Sequence, residues 1–147
     1  MQEYANLVKN SIDTKNFQFI IEPGRSISWN TGILVTKVIY IKNSGSKKFI
    51  ILDAAMNDLM RPALYGANHK TLPSIKKNQI SQKTYEFVGP ICESTDKFTS
   101  LKKFQKLKEK DIIVMCDVGA YGMSLSSNYN LRPKAAEVLI IGSKINI

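Results

Sequence analysis

The stretch LVTKVIYIKNSGSKKFIIL, residues 34–52, carries the clearest structural pattern in the chain. Residues 34–41 and 48–52 are mostly β-branched or otherwise apolar, which is typical of strands. Between them, NSGS at 43–46 is rich in turn-forming residues. The stretch therefore predicts a β-hairpin.

The segment before the hairpin predicts a helix, a strand and a second helix. Residues 1–13 bring four apolar side chains onto one helical face: Tyr4, Leu7, Val8 and Ile12. FQFII at 17–21 has the pattern of a short buried strand and is stopped by EPG at 22–24, after which Ser26 can start a short helix. This order is that of a β/α unit of an α/β barrel. Because one such unit cannot complete a barrel, we expect that an N-terminal domain is missing from this chain.

The segment after the hairpin predicts further strands. Residues 84–88, 111–116 and 137–141 have strand composition, and residues 56–66 predict a short helix and a turn. Residues 98–108 space their apolar side chains three apart between lysines, which fits a short amphipathic helix and an irregular covering segment equally well. The pattern as a whole predicts a closed or nearly closed antiparallel sheet.

Composition excludes several classes of protein. The 147 residues carry a net charge of +9, but only three of the 21 basic residues are arginine, whereas nucleic-acid surfaces favour the planar arginine fork. We therefore interpret the lysines as a solvated surface and expect no nucleic-acid partner. No apolar run reaches the ~18 residues of a membrane span, and the N-terminus has no signal-peptide core. Two cysteines are too few for a disulfide framework, so we expect a cytoplasmic protein.

A few residue types stand out against this background. Each arginine lies beside or near proline or glycine, in EPGR, MRP and LRP, and such rigid settings suit anion binding, although an arginine that caps a loop is the alternative. His69 is the sole histidine and has no clustered partner, so we expect no metal site. Lys9 is expected on a solvated helix face, and Cys116, in the apolar run DIIVMC, in the core.

Four long motifs occur in one order along the chain: EPGRSI (22–27), DAAMNDLMRPALYGA (53–67), GPICESTD (89–96) and GAYGMSLSSNYNLRPKAAEVL (119–139). Together they closely resemble the C-terminal third of diaminopimelate decarboxylases. These enzymes belong to the alanine-racemase-like, fold-type III class that uses pyridoxal 5′-phosphate. The similarity runs from about Tyr4 to Ile141. Each motif alone is weak, but four in the same order make chance similarity implausible.

The resemblance implies the architecture and the cofactor. Residues 33–147 would form a Greek-key-like β-barrel domain, mainly β with short helices, and residues 1–32 would be the last β/α piece of a (β/α)8 barrel. Pyridoxal 5′-phosphate would be the cofactor, but the lysine that binds it covalently lies in the missing part. The chain alone is therefore expected to be inactive.

The resemblance also assigns the cofactor-binding residues. Glu22 would pair with the pyridine nitrogen, although a helix-start carboxylate is its structural alternative. The other residues assigned to the cofactor are Pro23, Gly24, Arg25 and Tyr121. Gly24 would allow close backbone approach, and the amides at the helix start suit a phosphate. Arg25 and Tyr121 would contact both phosphate and substrate.

The remaining assignments concern the substrate, which has an amino-acid group at each end. Arg61, Tyr65 and Glu93 match residues that bind its distal end, although without the family two of them would be surface charges and Tyr65 a packed aromatic. Cys92 matches the proton donor, since a thiol is mostly protonated at neutral pH and can protonate the α-carbon. In this class Cys92 and Glu93 would reach across a homodimer interface into the neighbouring subunit's site.

The sequence thus predicts the C-terminal part of a carboxy-lyase that converts meso-2,6-diaminopimelate to L-lysine and carbon dioxide in lysine biosynthesis. A separate barrel-domain polypeptide is a possible partner. One alternative is a related decarboxylase for ornithine, arginine or carboxynorspermidine, whose substrates lack a distal carboxylate and do not need Arg61. Another is a non-catalytic or vestigial interaction domain that keeps only the dimer-forming surface.

Overall fold

The structure, a computed structural model, describes residues 2–12 and 16–146. Strands dominate and the helices are short, as predicted. The helices are α1 (Gln2–Ser11) and α2 (Arg61–Tyr65), and the strands are β1 (Ile33–Ser44), β2 (Lys47–Leu52), β3 (Thr71–Pro73), β4 (Thr84–Val88), β5 (Lys97–Leu101), β6 (Ile112–Cys116), β7 (Leu139–Ile141) and β8 (Lys144–Asn146). Single 3₁₀ turns occupy Arg25–Ile27, Trp29–Thr31, Met123–Leu125 and Tyr129–Leu131.

Six strands form one curled sheet in the order β3-β6-β1-β2-β4-β5, and β7 pairs with β8 in a separate hairpin. The long strand β1 pairs through its first half with β6 and through its second half with β2, with a register shift between Val38 and Tyr40 where the strand bends. The chain after β3 meets the chain after β5 at the bridge between Ile80 and Gln105. The sheet is therefore a curled, nearly closed half-barrel, although β2 and β4 are parallel and not antiparallel as predicted.

The hydrophobic core lies inside this curl. Phe87 and Phe104 meet edge to face with ring centroids 5.3 Å apart, and Tyr85 adjoins both rings. Fully buried side chains surround them: Val38, Ile50, Leu52, Leu59, Ile113 and Met115. They come from the inward-facing positions of β1, β2 and β6 and from the loop before α2, so most of the domain shares one core.

The predicted hairpin is confirmed by β1 and β2. Gly45 turns the chain with φ = 55°, a left-handed conformation that glycine adopts without steric cost. The helix predicted over residues 1–13 is confirmed as α1, and residues 1 and 13 lie outside the described part of the chain. Lys9 is exposed on that helix, as expected. Among the described residues, no helix has the length and apolar character needed to cross a membrane.

The strand predicted over 17–21 is wrong. Residues 17–24 form no regular element, and Phe17, Phe19, Ile20 and Ile21 are 48–78% exposed. The apolar composition is that of a buried strand, but no strand in the described part of the chain pairs with this segment. A strand without hydrogen-bonding neighbours has nothing to hold it extended.

The segment 98–108 is not helical either. Its first part belongs to β5, which pairs with β4, and the rest is an irregular covering segment in which Phe104 and Leu107 pack against the core. Lys103 has φ = 56°, a left-handed conformation that an α-helix cannot contain. The irregular alternative was therefore correct for the second half, and strand β5 was missed.

Glu86 is a carboxylate on β4 that is only 3% exposed. Its oxygens lie 2.9 Å from Lys47 Nζ and 2.6 Å from Lys97 Nζ, and Ser100 Oγ donates a hydrogen bond of 3.1 Å. Burial alone would raise the pKa of Glu86, but the contacts with Lys97, Lys47 and Ser100 outweigh it and lower the pKa from 4.5 to about 2. Folding therefore stabilises the charged form of Glu86 more than its protonated form.

This arrangement predicts a loss of stability in acid. Because the pKa of Glu86 is lower in the folded chain, its contribution is present above pH 4.5 and is lost as the pH falls toward 2. The lowered pKa corresponds to about 3 kcal/mol, which screening at the half-exposed lysines reduces to about 1–2 kcal/mol. In Glu86→Gln the difference in unfolding free energy between pH 7 and pH 3, measured by urea denaturation, should shrink by about 60% of this amount, or about 1 kcal/mol, because pH 3 still lies above the folded pKa of about 2. Glu109→Gln, at an exposed carboxylate, is the control; equal pH profiles for the two variants would contradict the prediction.

Candidate active site

Helix α2 places Arg61 and Tyr65 on one side of the molecule. Pro62 fits its first turn, where no backbone N–H is needed, and Gly66 ends it in a left-handed conformation at φ = 61°. The guanidinium carbon of Arg61 lies 5.5 Å from the ring centre of Tyr65 and 5.8 Å from that of Tyr121. Both distances are within the range of cation–π attraction, so the two rings orient the guanidinium group.

A close backbone contact fixes the EPGR turn beside Tyr121. Gly119 N donates to Trp29 O at 3.0 Å, and Val118 N donates to Gly32 O at 3.1 Å. A Cβ atom on Gly119 would overlap with Ser28 O, and one on Gly32 would lie 2.7 Å from the Gly119 backbone. Glycine is needed at both positions because the two segments of the chain touch there through their backbones. The contact brings the turn at residues 22–25 next to the GAYG motif.

A cavity of about 290 Å³ lies between these elements, near the lower end for small-molecule sites. Two cations, Arg25 and Arg61, line it. The other residues around it are Trp29, Tyr65, Ala67, Asn68, His69 and Asp117. The pocket thus combines two guanidinium groups with aromatic rings, which suits a ligand that carries anionic groups.

Tyr121 borders this pocket in a strained conformation. Its φ is 61°, a left-handed value that is uncommon for a residue with a side chain, and Asp117 has φ = 64°. A Cβ on Gly24 would lie 3.6 Å from the Tyr121 hydroxyl oxygen, so this hydroxyl stands beside the backbone of the EPGR turn. Arg25, Arg61 and Tyr65 line the cavity, and Gly24 and Tyr121 adjoin it; we call these five residues the arginine pocket. Glu22 and Pro23 are exposed on the same turn but do not line the cavity.

The other two predicted residues lie elsewhere. Cys92 and Glu93 are both exposed on the loop between β4 and β5, and neither lines the arginine pocket of its own chain. Tyr129 donates a hydrogen bond of 3.1 Å to Glu93 Oε1. That bond raises the pKa of Tyr129, and the Cys92 side chain contributes to the same effect. We call Cys92, Glu93 and Tyr129 the Cys92 cluster.

Several residues near these groups were missed or misjudged from sequence. Trp29, Asn68 and Asp117 carry no local signal, and Tyr129 lies in the quoted motif 119–139 but was not singled out. Arg132 is a loop clamp: its guanidinium donates to Asn57 Oδ1 at 3.1 Å and to Asp53 O. Cys116 is half-buried on the face of β6 opposite Ile113 and Met115, so its assignment to the core is wrong.

His69 also lines the cavity, and its two ring nitrogens have different surroundings. Its Nδ1 lies 3.0 Å from Cys116 O and donates to it, since a carbonyl oxygen can only accept. Its buried Nε2 has no hydrogen-bond partner among the described residues. Within residues 2–12 and 16–146, no group of three or more His, Cys, Asp or Glu side chains could hold a metal ion.

The profile of a family described as pyridoxal-dependent decarboxylase, C-terminal sheet domain, matches residues 9–119. The chain belongs to this family. The expected resemblance to diaminopimelate decarboxylases is also confirmed. The enzyme of that name from Aquifex aeolicus is 40% identical over 146 residues, which cover 99% of this chain and 34% of the relative. The one from Vibrio cholerae is 44% identical over 143 residues, which cover 97% of this chain and 34% of the relative.

Solved structures of the family agree with this result. Diaminopimelate decarboxylase from Helicobacter pylori, complexed with L-lysine, matches 98% of this chain and 35% of its own at a TM-score of 0.84 and 41% identity. The chain therefore spans about a third of the length of the relatives that it matches. The predicted fold of this chain, mainly β with short helices, is confirmed. It is that of the C-terminal sheet domain of the pyridoxal-dependent decarboxylases.

Proposed function

We propose that this chain is the C-terminal part of a diaminopimelate decarboxylase, which converts meso-2,6-diaminopimelate to L-lysine and carbon dioxide in the cytoplasm. The relatives that carry this name match nearly the whole chain at 40–44% identity. The active protein is a homodimer whose subunits each include a barrel domain carrying the cofactor lysine. Residues 1–32 belong with that barrel, and residues 33–147 form the sheet domain.

The observation that carries the proposal is the convergence of Arg25 and Arg61 on one pocket with Tyr65 and Tyr121 beside it. The distal carboxylate of a diacid needs a cation of its own besides the one beside the cofactor, and guanidinium groups bind carboxylates through two parallel hydrogen bonds. Ornithine has a carboxylate at one end only. Arg61, held by two aromatic rings, is therefore a specific argument for the longer diacid.

The residues of the arginine pocket also fit a phosphate-bearing cofactor. The Tyr121 hydroxyl lies beside the backbone of Gly24, and Arg25 lines the adjoining cavity, so a phenol, a backbone and an arginine lie close together as donors. Arg25 and Tyr121 would hold the phosphate of pyridoxal 5′-phosphate, and Glu22 would pair with the ring nitrogen. When bound, the cofactor withdraws electrons from the α-carbon so that carbon dioxide can leave.

The chain's own side chains then have distinct tasks. Arg61 and Tyr65 bind the distal carboxylate of the substrate, and Glu93 binds the distal ammonium group. Cys92 donates its thiol proton to the α-carbon that has lost its carboxylate, and solvent returns a proton to the sulfur. Because Cys92 and Glu93 do not line the pocket of their own chain, we place them in the pocket of the second subunit.

A chimera tests this function directly. This chain replaces the matching third of the Aquifex aeolicus enzyme, so that the barrel and its cofactor lysine come from the relative. The purified protein, loaded with pyridoxal 5′-phosphate, should release carbon dioxide from meso-2,6-diaminopimelate and form L-lysine. The same barrel without a C-terminal third is the control and should be inactive.

Two outcomes would contradict the proposal. A cofactor-loaded chimera that prefers ornithine to diaminopimelate would support the related decarboxylases instead. A chimera that binds the cofactor and dimerises but decarboxylates neither compound would support a non-catalytic interaction domain. Cofactor absorbance and size-exclusion chromatography separate these results from simple misfolding.

A further inference from the structure

Tyr129 and Glu93 meet although they are 36 residues apart in the chain. The Tyr129 hydroxyl lies 3.1 Å from Glu93 Oε1 and donates to it, since a carboxylate can only accept. Both residues are accessible, with Tyr129 44% exposed and Glu93 on the exposed loop that also carries Cys92. The pair is therefore open to a ligand and not sealed into the core.

The loop that carries Tyr129 is held in place by hydrogen bonds to Asn57. Ser127 N donates to Asn57 O at 3.0 Å, and Asn57 Nδ2 donates to Ser127 O at 3.2 Å. Arg132, at the other end of the loop, donates to Asn57 Oδ1 at 3.1 Å, and Asn128 Nδ2 closes the loop by donating to Arg132 O at 3.0 Å. Because Asn57 is fully buried, the loop is attached to the interior of the domain on both sides of Tyr129.

The loop that carries Glu93 is attached to the same interior segment. Asp96, which is 3% exposed, accepts hydrogen bonds from Met56 N at 2.7 Å and from Ile91 N at 2.8 Å. Asp96 N donates to Glu93 O at 3.1 Å, which closes a tight turn. Both loops are thus anchored on adjacent residues, Met56 and Asn57. The distance between Tyr129 and Glu93 is set by this shared anchor and not by two freely moving surface loops.

A phenol that donates to one carboxylate oxygen restricts the rotation of the carboxylate and leaves the other oxygen for a ligand. A tyrosine phenol already keeps its proton at neutral pH, and the hydrogen bond to Glu93 raises the pKa of Tyr129 further, so the phenol remains a donor. A carboxylate held this way loses less side-chain freedom when it binds a cation, and preorganisation of this kind strengthens binding. The effect falls on binding of a cationic group and not on proton transfer.

We propose that Tyr129 is a positioning residue that holds the Glu93 carboxylate ready for the distal ammonium group of the substrate. The inference rests on the proposed function, because that function gives Glu93 its ligand. Tyr129 does not act on the reacting carbon. Its removal should therefore weaken substrate binding without slowing the chemical step.

The test uses Tyr129→Phe in the cofactor-loaded chimera, a change that removes one hydroxyl from an exposed ring. KM for meso-2,6-diaminopimelate should rise about 3–10-fold while kcat stays within about twofold. D-2-aminopimelate, which keeps the distal carboxylate but lacks the distal ammonium group, should show the same KM in both proteins. Tyr40→Phe, at an exposed tyrosine of β1, is the matched control and should change neither value.

A second variant separates positioning from general structural damage. In a Glu93→Gln background, adding Tyr129→Phe should have little further effect, because the two residues act as one unit. Unchanged KM for diaminopimelate in Tyr129→Phe, or an equal loss with both substrates, would overturn the inference while the proposed function stands. An unmutated chimera that fails on diaminopimelate would instead overturn the proposed function, and the inference with it.

Discussion

Replacing Cys92 with alanine in the chimera should lower kcat for diaminopimelate by about 100–10,000-fold, the range expected for loss of a positioned general acid. Carbon dioxide can still leave, but the α-carbon must then take its proton from water. Water can approach from more than one side, whereas a fixed thiol delivers the proton to one face. In D₂O the unmutated protein should therefore place deuterium on one face of the new CH₂ group of lysine, and Cys92→Ala should give a mixture. Rates of lysine formation and NMR of the deuterated product measure the two effects.

The second cysteine supplies the control. Cys116 lies half-buried on the outer face of β6, and no role in the reaction is assigned to it, so Cys116→Ala should retain activity. Subunit mixing tests where the thiol acts. If Cys92 serves the other subunit's pocket, combining Cys92→Ala with an inactive Arg61 variant should restore about a quarter of the activity through heterodimers. Activity of Cys92→Ala within a few-fold of the unmutated protein would rule out the assigned role.

The fold could be predicted from sequence where local chemistry decides it. Strands β1 and β2 follow from their β-branched residues and from a turn in which Gly45 takes the left-handed conformation. The prediction fails where the structure of a segment depends on the strand that lies beside it. Residues 17–21 have strand composition but are exposed, because no described strand lies alongside them. The parallel pairing of β2 with β4 is equally invisible, since it depends on how residues 53–83 return to the sheet.

The candidate site shows the same division. Motifs identified Arg25, Arg61 and Tyr121, and the structure brings all three to one side of the domain. Their convergence depends on Gly32 and Gly119, whose backbones touch, and sequence spacing cannot reveal that contact. The bond between Tyr129 and Glu93 was missed for a related reason: the two loops meet because both are anchored at residues 56–57. Residue type predicts which groups do chemistry, and tertiary contacts decide which groups do it together.

Replacing Arg61 with lysine should reduce kcat/KM for diaminopimelate about 10–150-fold, the effect of losing a charge-assisted hydrogen bond of about 1.5–3 kcal/mol. Lysine keeps the positive charge but lacks the planar fork that binds both oxygens of a carboxylate. Its compact ammonium group also cannot reproduce the position of the guanidinium, whose carbon lies 5.5 Å from the ring centre of Tyr65 and 5.8 Å from that of Tyr121. The variant should fold normally, because the position at the start of α2 is only partly buried and the charge is conserved.

The substrate dependence of this loss decides what Arg61 binds. D-Lysine has the chain and the D-configured reacting end of diaminopimelate but lacks the distal carboxylate, so any slow decarboxylation of D-lysine by the chimera should be almost unaffected by Arg61→Lys. The ratio of kcat/KM for diaminopimelate to that for the monocarboxylate should therefore fall by nearly the full factor. An equal loss with both substrates would show that Arg61 supports the cofactor or the fold, since only a contact with the distal carboxylate depends on that group being present. Thermal unfolding of the cofactor-free unmutated protein and variant, followed by circular dichroism, separates those remaining possibilities. Damage to the fold lowers the Tm of the variant. A lost cofactor contact leaves this Tm unchanged and weakens cofactor binding instead.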